Sequence, residues 1–431
     1  MTQSSLKKEV GIFGLSSNII NTVIGAGIFV LPALVAEGLG STAVSAYLFC
    51  GFLISMIMLC FAEVGSKISH PGGPYAYIEV AFGKYVGFIA ALLFIISGIV
   101  SDAAVSNAFF NILSSLFPII DTPTIRILFL FGIFSLLAFV NVRGTKQGLS
   151  LVKLMTLMKT GPLILLVILG LGYMDLSNLK WDHIPGVWEV GEVSLVLFFA
   201  FLGAETGLTI NGEVANPKRT IPRSIFLSIA IILILYIGIQ TVAQGVLGAD
   251  LANFKDSPLS QVASVIFGPI GFTLMGIGAA VSMFGNLSSE ILSVPRVVQS
   301  AAQDRVLPSK WLAKINSKYA TPSNAIILYS FLGLLIATVG GFKQLAILVS
   351  AVVLLLYLGV ALAVIKLRQS HPFEKGQFKI PGGMTVPIIT TLIIFYFLSS
   401  LTMNEIIGIS IMIVLLSILY FILKKLDVFK I

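Results

Sequence analysis

Four ionisable side chains stand inside otherwise apolar stretches of the sequence: Asp102, Lys159, Glu205 and Glu290. A charged group in apolar surroundings is costly and usually faces a substrate, an ion or another polar group. Buried carboxylates need a partner, and either a cationic ligand or a bound proton can fill that role. The chemistry that these residues suggest is therefore the binding of charged groups and of protons.

Two glycine-containing segments lie midway along apolar stretches, at residues 25–29 (Gly-Ala-Gly-Ile-Phe) and 201–207 (Phe-Leu-Gly-Ala-Glu-Thr-Gly). A helix broken there frees amides on one side of the break and carbonyls on the other, with partial positive and negative charge respectively. Close packing of helices through small residues is the alternative interpretation of residues 25–27.

The elements that position these residues follow from hydropathy. The chain is 57% hydrophobic and 11% charged, against roughly 25% charged in soluble domains. Its apolar runs reach the length of about 20 residues that a membrane helix needs, and their continuous character excludes a β-barrel. We predict an all-α membrane protein with about twelve transmembrane helices. The predicted spans are 11–36, 43–66, 84–113, 124–141, 149–172, 190–212, 222–247, 259–294, 323–341, 344–366, 386–403 and 405–424.

The two breaks fall in spans one and six, five spans apart. That spacing predicts two five-helix units of opposite topology, an inverted repeat over residues 11–172 and 190–366, with a binding site at the middle of the membrane. Two further helices at 386–424 complete the predicted organisation, between short cytoplasmic tails at 1–10 and 425–431.

The basic residues give a net charge of +8, but their distribution argues against nucleic-acid binding. With the N-terminus inside, 22 of the 27 Lys and Arg residues fall in cytoplasmic segments, which is the pattern of a membrane protein with both termini in the cytoplasm. The first stretch is too long for a signal peptide and lacks a clear cleavage site. We expect a multi-pass protein of the cell membrane, inner or plasma.

Cofactor chemistry is not expected. Cys50 and Cys60 lie in one span and form neither a disulfide framework nor a metal set, and the three histidines are too scattered for a metal site. No phosphate-binding loop is present. An integral-membrane enzyme would need a nucleophile, a base or metal ligands facing one cavity, so we predict no enzyme, no metal and no cofactor.

Several motifs resemble those of the amino acid, polyamine and organocation transporter superfamily. Residues 25–29 resemble its Gly-Ser-Gly-Ile-Phe motif with Ala26 in place of Ser, and residues 71–83 resemble its Pro-Gly-Gly-x-Tyr-x-Tyr loop. Residues 213–222 resemble the loop after span six, and residues 295–322 the stretch after span eight. The nearest resemblance is to bacterial basic amino-acid and diamine antiporters. It implies a LeuT-like fold with discontinuous helices one and six.

The resemblance also implies roles for individual residues. Amides of residues 26–28 would hold the substrate carboxylate, carbonyls near residues 199–202 its ammonium group, and an aromatic ring beside the second break would close over it. The substrate-binding residues expected are Thr22, Gly25, Ala26, Gly27, Ile28, Asp102, Phe199, Ala200, Leu202 and Glu290. Gating or proton sensing is expected at Phe199, Phe201 and Glu205, and replacement of a sodium ion at Lys159 with Ser282.

Each of these assignments has an alternative. Phe199 could be an ordinary core or lipid-facing ring, and Lys159 could extend to the membrane surface. Glu205 could bond the amides freed by the break, and Asp102 could form a structural pair with Lys159 or lie at a span end. Glu290 departs from the aromatic residue of similar antiporters and could instead pair with Arg296.

If Asp102, Glu205 and Glu290 all line one cavity, their charge favours a cationic amino acid or amine. We therefore expect a sodium-independent exchanger or proton-coupled transporter of such substrates, working by alternating access in the lipid bilayer. A neutral amino-acid transporter of the same fold is the main alternative, and a membrane sensor that binds without transport is a further one. Whether the chain forms a homodimer is left open.

Overall fold

The computed structural model describes residues 10–68, 74–143, 149–181, 183–207, 214–370 and 377–426. These residues form helices and connecting turns, with one isolated parallel bridge between Val10 and Val214. The tails and parts of the two loops used for the resemblance, at 71–73 and 213, lie outside the described residues.

Seventeen helices follow one another in this part of the chain. They are α1 Ile12–Val23, α2 Gly27–Leu39, α3 Val44–Lys67, α4 Pro74–Phe82, α5 Lys84–Leu116, α6 Pro123–Arg143, α7 Leu149–Gly170, α8 Val187–Leu197, α9 Ala204–Gly207, α10 Pro217–Leu247, α11 Pro258–Phe267, α12 Pro269–Gln303, α13 Lys310–Ala313, α14 Ser323–Val339, α15 Phe342–Ser370, α16 Thr385–Ser399 and α17 Met403–Lys425.

Eight helical segments of the described residues are long and apolar enough to cross a membrane. A ninth span is formed if α1 and α2, which meet at an angle of 52°, are counted as one. Three shorter apolar helices coincide with predicted spans five, nine and eleven. They are Lys159–Tyr173, which begins within α7, Ser323–Val339 (α14) and Thr385–Ser399 (α16). Every predicted span thus contains a helix, while twelve crossings and the inverted repeat stay predictions.

The predicted boundaries of span eight are wrong. The stretch at 259–294 is not one helix, because the chain breaks at Gly268, which has a φ of +70°, and Pro269 starts α12. Proline suits the first position of a helix, since the amide it lacks would have no partner there. At the other end, α12 continues through Pro295 to Gln303.

The long helix α5 lies among α4, α12, α14 and α15. On the other side of the molecule, α1 packs against α7, α9 and α10, and α2 packs against α8. Because α12 contacts both α5 and α1, the two groups meet around the breaks of the first and sixth spans.

Hydrogen bonds between serines and backbone carbonyls join α1 to α10. The hydroxyl of Ser224 donates to the Ile12 carbonyl (3.1 Å), that of Ser228 to the Ser16 carbonyl (3.2 Å), and that of Ser16 to the Ser224 carbonyl (3.3 Å). Small polar residues allow membrane helices to approach closely and to bond each other. We call Ser16, Ser224 and Ser228 the serine ladder.

A buried ion pair joins α3 to α15. Arg368 donates to both carboxylate oxygens of Glu63, at 2.6 and 2.5 Å, and the Ile380 amide donates to the same carboxylate at 2.9 Å. The two-pronged geometry of an arginine–carboxylate pair fixes orientation as well as distance. The pair therefore ties two helices and the segment before α16 together.

Candidate functional site

The first span is broken where the sequence predicts. Helix α1 ends at Val23, Ile24 is extended with φ −75° and ψ 94°, and α2 begins at Gly27. Amides in the first turn of a helix have no carbonyl partner within that helix. The amides of Gly27 and Ile28 are thus placed at the positive end of α2.

The sixth span is also broken. Helix α8 tightens into a short 3-10 turn over Phe198–Phe201, the chain turns at residues 202 and 203, and α9 begins at Ala204. Gly203 has a φ of +101°, a conformation that glycine adopts at little cost.

The two breaks lie against each other. A Cβ atom built on Gly27 would come within 2.6 Å of the Ala200 Cα, and one built on Gly203 within 2.8 Å of the Thr22 carbonyl oxygen. Neither contact leaves room for a side chain. Both glycines are therefore required for the two backbones to approach this closely. At Gly27 the two interpretations of the sequence hold together, because the residue lies at a helix break and also packs closely against another segment.

Tyr236 of α10, a buried residue of a third helix, contacts both breaks. Its buried hydroxyl lies 3.0 Å from the Ala200 carbonyl oxygen and 3.4 Å from that of Val23. The Ala200 carbonyl, expected to bind the ammonium group, thus already accepts one hydrogen bond, and the Phe199 carbonyl accepts one from the Leu202 amide at 3.3 Å. The sequence reasoning missed Tyr236, whose only signal was a hydroxyl within an apolar span.

A cavity lies beside the breaks. About 50 Å³ of it is open to the centres of water molecules, enough for roughly three to five waters. Its polar and backbone lining includes Thr22, Gly25, Ala26, Gly27, Ser97, Ser101, Gly203, Glu205, Thr206, Asn286 and Glu290, and its apolar lining includes Phe199 and Leu202. The expected binding residues Ile28, Ala200 and Asp102 are not part of this lining.

Lys159 of α7 is buried at the first break. Its ammonium group donates to the carbonyls of Asn21 (3.3 Å) and Ile24 (3.5 Å), which the end of α1 leaves without helical partners. The side chain does not extend to the membrane surface. Ser282 of α12 is also buried. Among the described residues its hydroxyl has no hydrogen-bond partner. The expected bond between Lys159 and Ser282 is therefore not found there.

Glu205 lies in the second break with 7% of its surface exposed. One carboxylate oxygen accepts from the Gly203 amide at 3.2 Å and from the Tyr357 hydroxyl at 2.5 Å. The alternative interpretation, in which Glu205 bonds an amide of the break, describes this geometry. It does not exclude a further role, because Glu205 also lines the cavity.

Asp102 of α5 is fully buried behind the cavity rather than on its wall. Its Oδ2 accepts from the Tyr329 hydroxyl of α14 at 2.8 Å. The contact with a substrate stays a prediction, while the alternative pair with Lys159 is not found among the described residues, since that ammonium group bonds the carbonyls of the first break.

Glu290 of α12 reaches the cavity wall. The alternative pair with Arg296 is not found in the described part of the chain, where the Arg296 guanidinium donates to the Leu292 carbonyl. Asn286, one turn before Glu290 on α12, lies 3.5 Å from the Thr22 carbonyl oxygen. Asn286 was missed, since an amide in a span has no distinctive spacing.

The two phenylalanines expected to act as gates are placed differently. Phe199 lines the cavity and contacts Phe342 of α15 edge to face, with ring centroids 5.5 Å apart. Phe201 points instead to Tyr236, at 5.2 Å between centroids, and is buried. Phe199 alone of this pair is positioned to contact a ligand in the cavity.

A solved structure of a Na⁺-coupled sialic acid symporter has a similar fold. The TM-score is 0.57, with 15% sequence identity, over 93% of this chain and 90% of that one. At this identity the likeness concerns the fold alone. It confirms the predicted LeuT-like class of membrane fold.

Relatives of known function are similar over most of their length. The serine/threonine exchanger SteT of Bacillus subtilis is 28% identical over 93% of this chain and 93% of its own, and the branched-chain amino acid permease BcaP of the same organism is 25% identical over 98% and 94%. The human large neutral amino acids transporter small subunit 2 is 28% identical over 75% of this chain and 63% of its own.

These relatives are transporters, which rules out the enzyme alternative. The family model for amino acid permeases matches residues 10–423, nearly the whole chain and both breaks. Together with the fold and the paired helix ends at the cavity, this match shows that the chain belongs to the amino acid permease family, within the superfamily that its motifs resemble.

Proposed function

We propose that this amino-acid transporter carries a neutral amino acid across the membrane by alternating access, without sodium. The observation that carries the proposal is the opposition of the two helix breaks at one cavity. The substrate carboxylate would bind the amides of Ala26 and Gly27, which line the cavity at the start of α2. Its ammonium group would bind the carbonyls of Phe199 and Leu202, which lie at the carbonyl end of α8 and its 3-10 turn.

A neutral substrate fits the cavity better than the cationic one that the sequence favours. Two of the three expected carboxyl groups, those of Glu205 and Glu290, reach the wall, and that of Glu205 already accepts two hydrogen bonds. The cavity is small, and α5 presents Ser97, Gly98 and Ser101 to it. The similar transporters named for serine and threonine, branched-chain or large neutral amino acids support this proposal, and the small polar lining favours serine or threonine.

Sodium independence rests on Lys159. Its ammonium group donates to two carbonyls at the end of α1, which is the interaction that a bound cation would otherwise supply. A fixed positive charge at this position stabilises the same oxygen atoms without an ion.

The test uses the purified protein in liposomes loaded with unlabelled serine. We expect uptake of labelled serine or threonine that saturates, competes with other small neutral amino acids and is unchanged when choline replaces sodium. Preferential uptake of arginine or a diamine would contradict the neutral substrate, and strict dependence on sodium would contradict the role of Lys159. Binding of serine without flux would support the sensor alternative.

The proposed membrane is the plasma membrane, with both termini in the cytoplasm. Both native cysteines are buried, so a cysteine introduced at exposed Glu189 or Lys314 can be labelled against a low background. An impermeant thiol reagent applied to intact cells should modify Glu189→Cys and spare Lys314→Cys. The reverse result would invert the proposed topology.

A further inference from the structure

Behind the cavity, Asp102 is a fully buried carboxyl group with an incomplete set of partners. Its Oδ2 accepts from Tyr329, and its Oδ1 has no hydrogen-bond partner among the described residues. An ionised carboxylate with one hydrogen bond in apolar surroundings is strongly disfavoured. The second oxygen therefore points to a ligand that the protein alone does not supply.

Among the described residues, the charged and titratable groups that act on Asp102 include no cation. Glu290 of α12 interacts electrostatically with Asp102, Tyr329 of α14 bonds it, and Glu205 of α9 interacts with Glu290 from the other side. Four other helices, α4, α6, α15 and α17, also pack against α5. None of their described charged or titratable side chains is among the groups that act on Asp102. In the same part of the chain, neither Asp102 nor Glu290 forms an ion pair.

Helices α12 and α14 pack closely against α5 near Asp102. A Cβ on Gly98, one turn before Asp102, would lie 3.0 Å from the Tyr329 hydroxyl and 3.2 Å from Val294, one turn after Glu290. Glycine at position 98 thus lets α12 and α14 approach α5 at the level of the carboxyl groups. Glu290 lines the cavity while Asp102 does not, so of the two carboxyl groups Glu290 is the one placed to exchange a proton with the cavity.

We propose that Asp102 and Glu290 share one exchangeable proton, which is released to and taken up from the cavity and moves with the substrate. Two carboxyl groups in one apolar site favour a state in which one of them is protonated. On release, the O–H bond of the carboxylic acid breaks and the proton passes to a water molecule in the cavity. This inference rests on the proposed transport function and makes it proton-coupled.

Glu205 differs from this pair in its partners. Two donors, the Gly203 amide and the Tyr357 hydroxyl, already stabilise one of its oxygens. Asp102 has only one such donor, and its Oδ1 has no hydrogen-bond partner among the described residues. The shared proton is therefore assigned to Asp102 and Glu290.

Infrared difference spectroscopy of the purified protein in lipid tests the proton directly, with or without transport. A step from low to high pH should remove the C=O stretch of a protonated carboxyl group. The band should be lost or displaced in Asp102→Asn and in Glu290→Gln, and unchanged in Asp121→Asn, an exposed carboxylate in the connection after α5. A wild-type spectrum without the band, or a band that neither substitution alters, would overturn the proposal.

A flux measurement separates the proton from the transporter itself. Liposomes with an imposed pH gradient should accumulate serine, and the ratio of this accumulation to serine exchange at equal pH should fall at least tenfold in Asp102→Asn but not in Asp121→Asn. Exchange with no effect of the pH gradient would reject the shared proton and leave the transporter standing. A wild-type protein that shows neither serine accumulation nor serine exchange would reject the proposed function. The infrared result would then decide whether the shared proton exists.

Discussion

Gly27 of α2 lies so close to Ala200 of the second break that a single methyl group between them would have no space, since its carbon would be 2.6 Å from the Ala200 Cα. This contact brings the amide end of one broken helix to the carbonyl end of the other. The proposed binding site is thus formed by two backbones, and side chains of α5 and α12 complete the walls of the cavity.

Gly27→Ala should push the two breaks apart. Extra volume in a packed core costs about 1–3 kcal/mol, and we expect serine exchange in liposomes to fall at least tenfold. Gly132→Ala on α6 is the matched control, because nothing lies within 4 Å of a Cβ there. Equal exchange by both variants would show that the close approach is not needed.

Lys159→Met keeps an unbranched side chain that is one atom shorter and removes the charge. The Asn21 and Ile24 carbonyls would then lose their donor, and a buried unpaired polar group costs about 1–3 kcal/mol. We expect a lower melting temperature and a loss of exchange in both sodium and choline. Exchange at the wild-type rate would contradict the proposed replacement of a cation.

Tyr236→Phe removes the hydroxyl between the breaks without changing the ring. The hydrogen bond to the Ala200 carbonyl is worth about 0.5–1.5 kcal/mol, which corresponds to a change of up to roughly tenfold in an equilibrium constant. We expect the loss mainly as a higher KM for serine. Tyr85→Phe, whose hydroxyl contacts Ser417 at an exposed position, should leave KM unchanged.

Glu63→Gln should destabilise the protein far more than Glu37→Gln. Glu63 is 1% exposed, and the substitution removes the buried carboxylate charge that Arg368 bonds at 2.5 Å, for which we expect a cost of about 3–5 kcal/mol. The Glu37–Lys255 pair is 41% and 51% exposed, and exposed pairs contribute about 0–1 kcal/mol. Thermal unfolding in detergent compares the two, and similar melting temperatures would show that the buried pair is not a structural tie.

Much of this architecture could be predicted because the bilayer imposes a strong local rule. Long apolar runs located helices in every predicted span, and glycine pairs located both breaks. Helix ends were less predictable: hydropathy continues across Gly268, so it carries no sign of the positive φ that separates α11 from α12. Likewise, Pro295 did not end α12, since neighbouring helices in a membrane can accommodate proline.

The candidate site was predictable where it depends on the backbone and less so where it depends on side-chain partners. Tyr329 is 227 residues from Asp102, and Arg368 is 305 residues from Glu63, so neither pairing has a local signal. The same limit applies to the expected bond between Lys159 and Ser282, because spacing along the chain does not give the distance between two side chains on different helices. The cationic preference depended on Asp102, Glu205 and Glu290 all lining one cavity, and Asp102 is not part of its lining.

The serine ladder gives the contact of α1 with α10 an unusual response to hydration. In the proposed alternating-access cycle, α1 would separate from α10 when the cavity opens on that side. Apolar packing would resist such wetting, whereas water can replace each serine hydroxyl and carbonyl bond with one of similar strength. The hydrogen bonds that join α1 to α10 could therefore be replaced by bonds to water if the two helices separated.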